Sequence, residues 1–293
     1  MEALVPASSA DLADEILTNL FQTWESVLSR FDPNSALTAL NRGAGRWVAV
    51  PELLWDAIGA ALDAAKATDG VFDPTVGGVL EALGYDRPFD QISPGGSTRR
   101  FAPPPRANWR QIALDPAARR VKLPPGAHLD LGGIGKGLTV DEALRRLEAA
   151  GCVPALVSAG GDLAVRGLPP GPAGWAVGIP SGHVLWLQQG AVATSGPERR
   201  RWSQGSRQRH HLIDPRTGQP GKPHWRWCTV VAHSAAQADV AATVAWLLGS
   251  RAPDFLSAHQ MAGILAPHEG PLHWVGLPPT STDPGRMSHA VVV

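Results

Sequence analysis

The chain is poor in three things, and each absence narrows what it does. Cysteine is scarce: Cys152 and Cys228 are the only two in 293 residues. Both fall in apolar, strand-like stretches, which suits buried thiols better than a disulfide framework or a metal pair. Neither sign of charge is in excess, with 26 Lys and Arg against 26 Asp and Glu, so nothing pulls the whole molecule toward nucleic acid or an acidic membrane face. Long apolar runs are missing, and stable membrane insertion is not expected. The first residues, M-E-A-L-V-P-A-S-S-A-D, lack a basic region followed by an apolar one, so the expected location is the cytoplasm. No repeat or heptad pattern is evident. What is plentiful is turn-forming: 32 glycines and 27 prolines predict many turns and ordered loops in a chain otherwise as apolar as a folded protein. Its length allows one large core or two modest ones.

The rest of the chain is organised around the stretch from His128 to Gly167. Asp130 closes a short apolar run, and Gly132, Gly133, Gly135 and Gly137 follow, residues that let backbone turn or approach a neighbour closely. Thr139 and Glu142 have capping-box spacing, which predicts a helix starting at Thr139. Leu138, Val140, Leu144 and Leu147 give it an apolar stripe, and Gly151 suits its C-terminal cap. Val153 to Ser158 reads as a buried strand running into Gly160, Gly161 and Asp162. Two glycine turns, each with an aspartate and joined by one helix, suit a phosphate-bearing ligand. A helix N-terminus offers free N–H groups to anions, and Lys136 adds a positive charge.

The common phosphate loops do not fit this spacing. Lys136 is followed by Gly137 rather than Ser or Thr, and position 130 holds Asp where a Walker A loop needs glycine. A dinucleotide fingerprint counted from Gly133 meets Leu138 where its third glycine belongs. Taken alone, residues 132–137 fit a ligand-free αβ corner equally well.

Elsewhere, residues 9–31 predict an amphipathic helix with Leu12, Ile16, Leu20, Trp24, Val27 and Leu28 on one side. A second helix runs from Pro51 to about Thr68, and residues 86–108 read as loop. Arg199 to Arg201, Arg207 and Arg209 flank a Gln204-Gly205 turn. With no net charge behind them, they read as a solvated β-ribbon in preference to a nucleic-acid patch. Asp239 and Thr243 lie four apart on a predicted helix and so share a face; a surface acid and a surface Thr satisfy that spacing without any ligand.

Taken together, these segments resemble the FAD:protein FMN transferases, the ApbE family. Asp130 to Gly137 matches the family's Asp-Leu-Gly-Gly-Ile-x-Lys-Gly segment, and Gly160 to Asp162 its following Gly-Gly-Asp. Residues 69–77, D-G-V-F-D-P-T-V-G, resemble its flavin-contacting loop. His211 to Gly218 matches His-x-Ile-Asp-Pro-x-Thr-Gly, and Ala238 to Thr243 matches Ala-Asp-x-x-Ala-Thr. The stretch from Ser29 to Asn41 is similar to a segment carrying an aromatic and an Asn near bound FAD. The resemblance runs from about residue 20 to about residue 265.

The fold it implies is α+β, T-fold-related, with mixed sheets and helices around a flavin-binding cleft. Residues 11–278 would form the transferase domain, 1–10 an N-terminal extension too short for the family's usual first strand, and 279–293 a flexible tail. The implied reaction moves FMN from FAD onto a Thr or Ser hydroxyl of a partner protein and releases AMP. Phe31, Asn41, Val71, Phe72, Asp73, Asp130, Lys136, Gly160, Gly161, Asp162 and His211 are implied FAD contacts. His211 is the candidate base, and Mg²⁺ is implied at Asp239, Thr243 and the Gly133 carbonyl, hard oxygen ligands of the kind it prefers. Two alternatives stay open: an Mg²⁺-dependent FAD pyrophosphatase giving FMN and AMP, and a catalytically silent flavin-binding protein.

Overall fold

A computed structural model of the chain describes residues 1–92, 108–169, 174–277 and 291–292. In order along the chain come β1 (Glu2–Leu4), α1 (Ala10–Leu28), α2 (Ala36–Arg42), β2 (Trp47–Ala49), α3 (Glu52–Ala67), α4 (Gly77–Ala82), β3 (Ala113–Asp115) and β4 (Arg120–Lys122). Then follow α5 (Gly135–Ala149), β5 (Ala155–Ala159), β6 (Asp162–Arg166), β7 (Trp175–Gly178), β8 (Val184–Leu187) and β9 (Gly190–Ser195). The remaining elements are β10 (Arg201–Gln204), β11 (Arg207–His210), β12 (Ile213–Asp214), β13 (Gln219–Pro220), β14 (Trp225–Ala232), α6 (Ala235–Leu248), α7 (Ala252–Ala258), β15 (Ala262–Pro267), β16 (His273–Val275) and β17 (Val291–Val292). Helices and mostly antiparallel strands are mixed, which is the expected α+β class. Among the described residues no helix is long and apolar enough to cross a membrane.

The chain divides into two compact units. Met1–Phe21, Lys136–Ser195 and His224–Val293 form the first, and Gln22–Gly135 with Gly196–Pro223 the second.

In the first unit a seven-stranded sheet has the order β1-β5-β6-β9-β14-β15-β16. Each neighbouring pair is antiparallel. The helix α6 packs on β9 and β14. It is apolar almost all round, with Val240, Ala241, Ala242, Val244, Ala245 and Trp246 all buried, as a core helix must be. Asp239 is therefore a carboxylate in an apolar helix, and burying it costs free energy unless a cation attends it. On the sheet, Val165, Trp175, Val177, Leu185, Leu187, Trp227 and Ile264 share one apolar cluster.

Two elements here depart from the sequence reading. Residues 2–4, set aside as part of an extension, pair with Leu156 to Ser158 as the edge strand β1; three residues are too few to show a period. Of the expected tail, residues 279–290 and 293 lie outside the described residues, and Val291–Val292 pair with β8. In α1, the buried residues are Ala13 and the expected Leu20 and Trp24, while Leu12, expected on the same side, is 47% exposed.

The second unit packs Val79, Leu80, Leu83, Tyr85, Trp202 and Ile213 into its own cluster, with Phe31 and Val76 against it. The arginine-bearing ribbon β10–β11 is anchored here. Trp202 Nε1 donates to the Leu83 carbonyl at 2.8 Å and Gln204 Nε2 to that of Ala82 at 3.0 Å. A small sheet, β2-β4-β3, completes the unit.

Candidate active site

The glycine corner is not built as its spacing suggests. The helix α5 starts at Gly135, four residues ahead of Thr139, because the chain already turns at Leu131, whose carbonyl accepts from Ile134 N–H at 3.1 Å and Gly135 N–H at 2.6 Å. Thr139 is thus buried inside the helix, and Glu142 pairs with Arg145 and Arg146 instead of closing a cap. None of Gly132, Gly133, Gly135 and Gly137 has a positive φ. Gly132, Gly133 and Gly137 serve close approach, whereas a Cβ on Gly135 would meet nothing nearer than 3.9 Å. A Cβ on Gly137 would stand 2.5 Å from the Ala235 carbonyl oxygen and from Ala236 Cα, so only glycine lets the first turn of α5 lie against the start of α6. Asp141, one turn on, accepts hydrogen bonds from Ala235 N–H at 2.7 Å and Ala236 N–H at 3.0 Å and so caps α6 from outside. True left-handed turns occur later, at Gly160 (φ 64°) and Gly161 (φ 97°).

That crossing brings three charges together in the first unit. Lys136 Nζ donates to Asp239 Oδ2 at 2.9 Å and lies 3.0 Å from Asp162 Oδ2. The second contact is an ion pair outside hydrogen-bond geometry, and Asp162 Oδ2 is a buried oxygen that accepts no hydrogen bond. Both aspartates are buried, at 4% exposure each. Burial pulls the Lys136 ammonium down, but pairing with Asp239 and Asp162 outweighs it and holds the group protonated. One turn along α6, Thr243 Oγ1 is 3.0 Å from Ser195 Oγ at the end of β9. Ser195 was not singled out by sequence reasoning; its only signal is the strand-end run A-V-A-T-S-G.

In the second unit the residues expected to contact flavin are mostly engaged in holding loops. Asn41 is buried and clamps Leu129: its Nδ2 donates to the Leu129 carbonyl at 3.0 Å, and its Oδ1 accepts from Leu129 N–H at 2.8 Å. Asp130 accepts from Gly132 N–H at 2.6 Å and forms an ion pair with Arg30, whose Nε lies 2.6 Å from its Oδ2. Arg30 was missed because its partner is a hundred positions away in the chain; its guanidinium stacks on Phe31 and Tyr85, 4.1 and 4.4 Å from their centroids. Asp73 accepts from Thr75 N–H and Oγ1 at 2.8 and 2.6 Å and from Trp109 N–H at 3.3 Å. Burial nonetheless leaves its carboxyl above the usual range. Phe72 is buried with its ring edge 3.2 Å from where a Gly133 Cβ would be, and Val71 is half-buried. His211 is half-buried in a bend after β11.

Among the described residues no group of three or more His, Cys, Asp and Glu is arranged to hold a metal. The donor chemistry of the first unit still fits a hard cation. Asp239, Thr243 and Ser195 offer oxygen only, and Mg²⁺ commonly takes one or two carboxylates and completes its shell with water or phosphate.

The family model described as the ApbE family matches residues 2–265. The chain belongs to the ApbE family. Among curated ApbE relatives, the FAD:protein FMN transferase of Treponema pallidum is 32% identical over 269 residues, covering 83% of this chain and 73% of that one. The FAD:protein FMN transferase of Escherichia coli K12 is 26% identical over 276 residues, covering 89% and 78%. Among solved structures, the ApbE protein of Thermotoga maritima superposes with a TM-score of 0.80 at 25% identity, covering 93% of this chain and 92% of that one. The apo flavinyl transferase ApbE of Pseudomonas stutzeri gives 0.76 at 23% identity, with 92% and 87% covered, which speaks to the fold.

Proposed function

We propose that this ApbE-family chain is an enzyme that moves the FMN half of FAD onto a Thr or Ser hydroxyl of an acceptor protein, with Mg²⁺, and releases AMP. The observation that carries the reading is the Lys136–Asp162–Asp239 cluster with Thr243 and Ser195 beside it: two buried carboxylates, two hydroxyls and a cation in a family whose named relatives are FAD:protein FMN transferases.

The chemistry is phosphoryl transfer. The acceptor oxygen attacks the FMN-side phosphorus, the bond from that phosphorus to the bridging oxygen breaks, and AMP departs with the bridging oxygen. The hydroxyl proton goes to His211, a general base whose ordinary pKa lies near neutrality. Asp239 and Thr243 are the residues that would hold Mg²⁺, which when bound offsets charge building on the diphosphate. The N-terminus of α5 offers N–H groups to phosphate oxygens. Phe31 and Phe72 supply apolar surface for the flavin, while Asn41, Asp73 and Asp130 act on it by fixing the loops that carry those rings. Positioning and electrostatics carry most of such a reaction.

The test is product analysis. The protein incubated with FAD, Mg²⁺ and a co-expressed acceptor should yield acceptor heavier by covalent FMN, together with AMP. Free FMN formed at the same rate with or without acceptor would make it a pyrophosphatase, and intact FAD a silent binder.

A further inference from the structure

Asp162 has no role in the reaction as written, yet it is among the most deeply buried charges in the chain. Its Oδ2 faces the Lys136 ammonium at 3.0 Å without accepting a hydrogen bond, while the same ammonium bonds Asp239 Oδ2 at 2.9 Å. One cation thus stands between two carboxylates at nearly equal range, bonded to one and poised against the other. An unsatisfied buried oxygen is costly and calls for an explanation.

A divalent cation on Asp239 would face Lys136 as a like charge. The Lys136 side chain is 30% exposed but anchored along its stem. Gly137 fixes the helix turn that carries it, and its Cδ lies 3.8 Å from the Cβ position of Gly160. Asp162 Oδ2 is a buried acceptor already facing it at 3.0 Å.

We propose that Asp162 is a positioning residue that acts through Lys136: when Asp239 takes a divalent cation, the Lys136 ammonium shifts its hydrogen bond from Asp239 to Asp162. In the absence of the cation Lys136 neutralises Asp239. In its presence Asp162 keeps Lys136 paired, so metal binding strands no charge. This rests on the reading of Asp239 as a metal ligand and adds the device that lets a carboxylate locked in an ion pair accept metal.

The experiment titrates Mn²⁺ into the full chain, with and without FAD, counting free ion by electron paramagnetic resonance, while thermal unfolding monitors the fold. Asp162→Asn is expected to raise the Mn²⁺ dissociation constant about tenfold or more, as loss of an outer-shell partner typically does. Lys136→Met should lower it, and in the Lys136→Met background the Asp162→Asn effect should shrink to a small fraction, because no ammonium then needs a second partner. An Asp162→Asn effect of equal size in both backgrounds, or none in either, overturns the transfer of Lys136. Asp239→Asn separates the two claims: if it binds Mn²⁺ as tightly as the unaltered chain, the metal assignment itself fails.

Discussion

Gly137 and Ala236 touch at a distance that excludes any side chain at position 137: a Cβ there would lie 2.5 Å from Ala236 Cα and N and from the Ala235 carbonyl oxygen. These are backbone atoms, which cannot rotate out of the way. Gly137→Ala should therefore force α5 from the start of α6 and cost about 1–3 kcal/mol, the usual range for overpacking. It should also stretch the Asp141 cap on Ala235 and Ala236 and the Lys136–Asp239 contact. Urea unfolding and Mn²⁺ affinity should fall together; stability unchanged within error would mean the two helices are not held that closely.

The same contact shows what the sequence makes legible and what it hides. Asp239 and Thr243 lie at i and i+4 on α6 and so share a face as expected, but spacing alone favoured surface residues and only the family resemblance singled them out. The start of α5 misleads because Thr139 and Glu142 have the right spacing for a cap, while the turn that begins the helix depends on the Leu131 carbonyl and on packing at Gly137. Local spacing competes there with a tertiary contact, and the tertiary contact wins. Arg30, Asp141 and Ser195 escaped notice for a related reason. Each acts on a partner far along the chain, and a lone Arg, Asp or Ser has no periodicity to reveal it. The α+β class came with the family resemblance; the pairing of β1 with β5 was not legible, since three residues form no pattern.

Arg30 and Asp130 form a buried ion pair, 7% and 11% exposed, that joins the Phe31 segment to the glycine corner. Asp130→Asn keeps an acceptor for Gly132 N–H but leaves the Arg30 guanidinium buried without its counter-charge. Removing one partner of such a pair typically costs about 3–5 kcal/mol. Replacing Arg30 as well, as Arg30→Met with Asp130→Asn, should recover part of that loss because no unpaired charge remains. Chemical denaturation of the two variants checks this; a double variant less stable than the sum of its parts would show that the pair is not the interaction at stake.

His128 and Glu81 give a pH dependence whose sign follows from their contact. Nδ1 lies 2.7 Å from Glu81 Oε2, and this pairing raises the imidazole above its ordinary value of 6.5, with partial burial opposing. A pKa raised on folding contributes stability that is fully present below 6.5 and is lost as pH climbs through the folded value. The pair is about a third exposed, so solvent discounts the effect. Glu81→Gln should lower the melting temperature more at pH 6 than at pH 8.5. A difference that grows toward pH 8.5 would contradict the charged pair.

His211 and Asp239 separate two contributions to the proposed reaction. His211→Ala removes the base, and loss of general-base catalysis typically costs about 10²- to 10⁴-fold in rate. Because the acceptor oxygen can still lose its proton to water as pH rises, the variant should regain part of its rate at alkaline pH while its affinity for FAD stays unchanged. Asp239→Ala instead takes one carboxylate from the Lys136 ammonium, and with it the carboxylate proposed for Mg²⁺. Its rate should be lost at every pH and no longer respond to magnesium concentration, with circular dichroism intact. Steady-state transfer rates across pH and Mg²⁺ concentration, with FAD binding measured by fluorescence, distinguish the two. If His211→Ala weakens FAD binding as much as it slows transfer, the imidazole is a ligand contact, and the proton must go elsewhere.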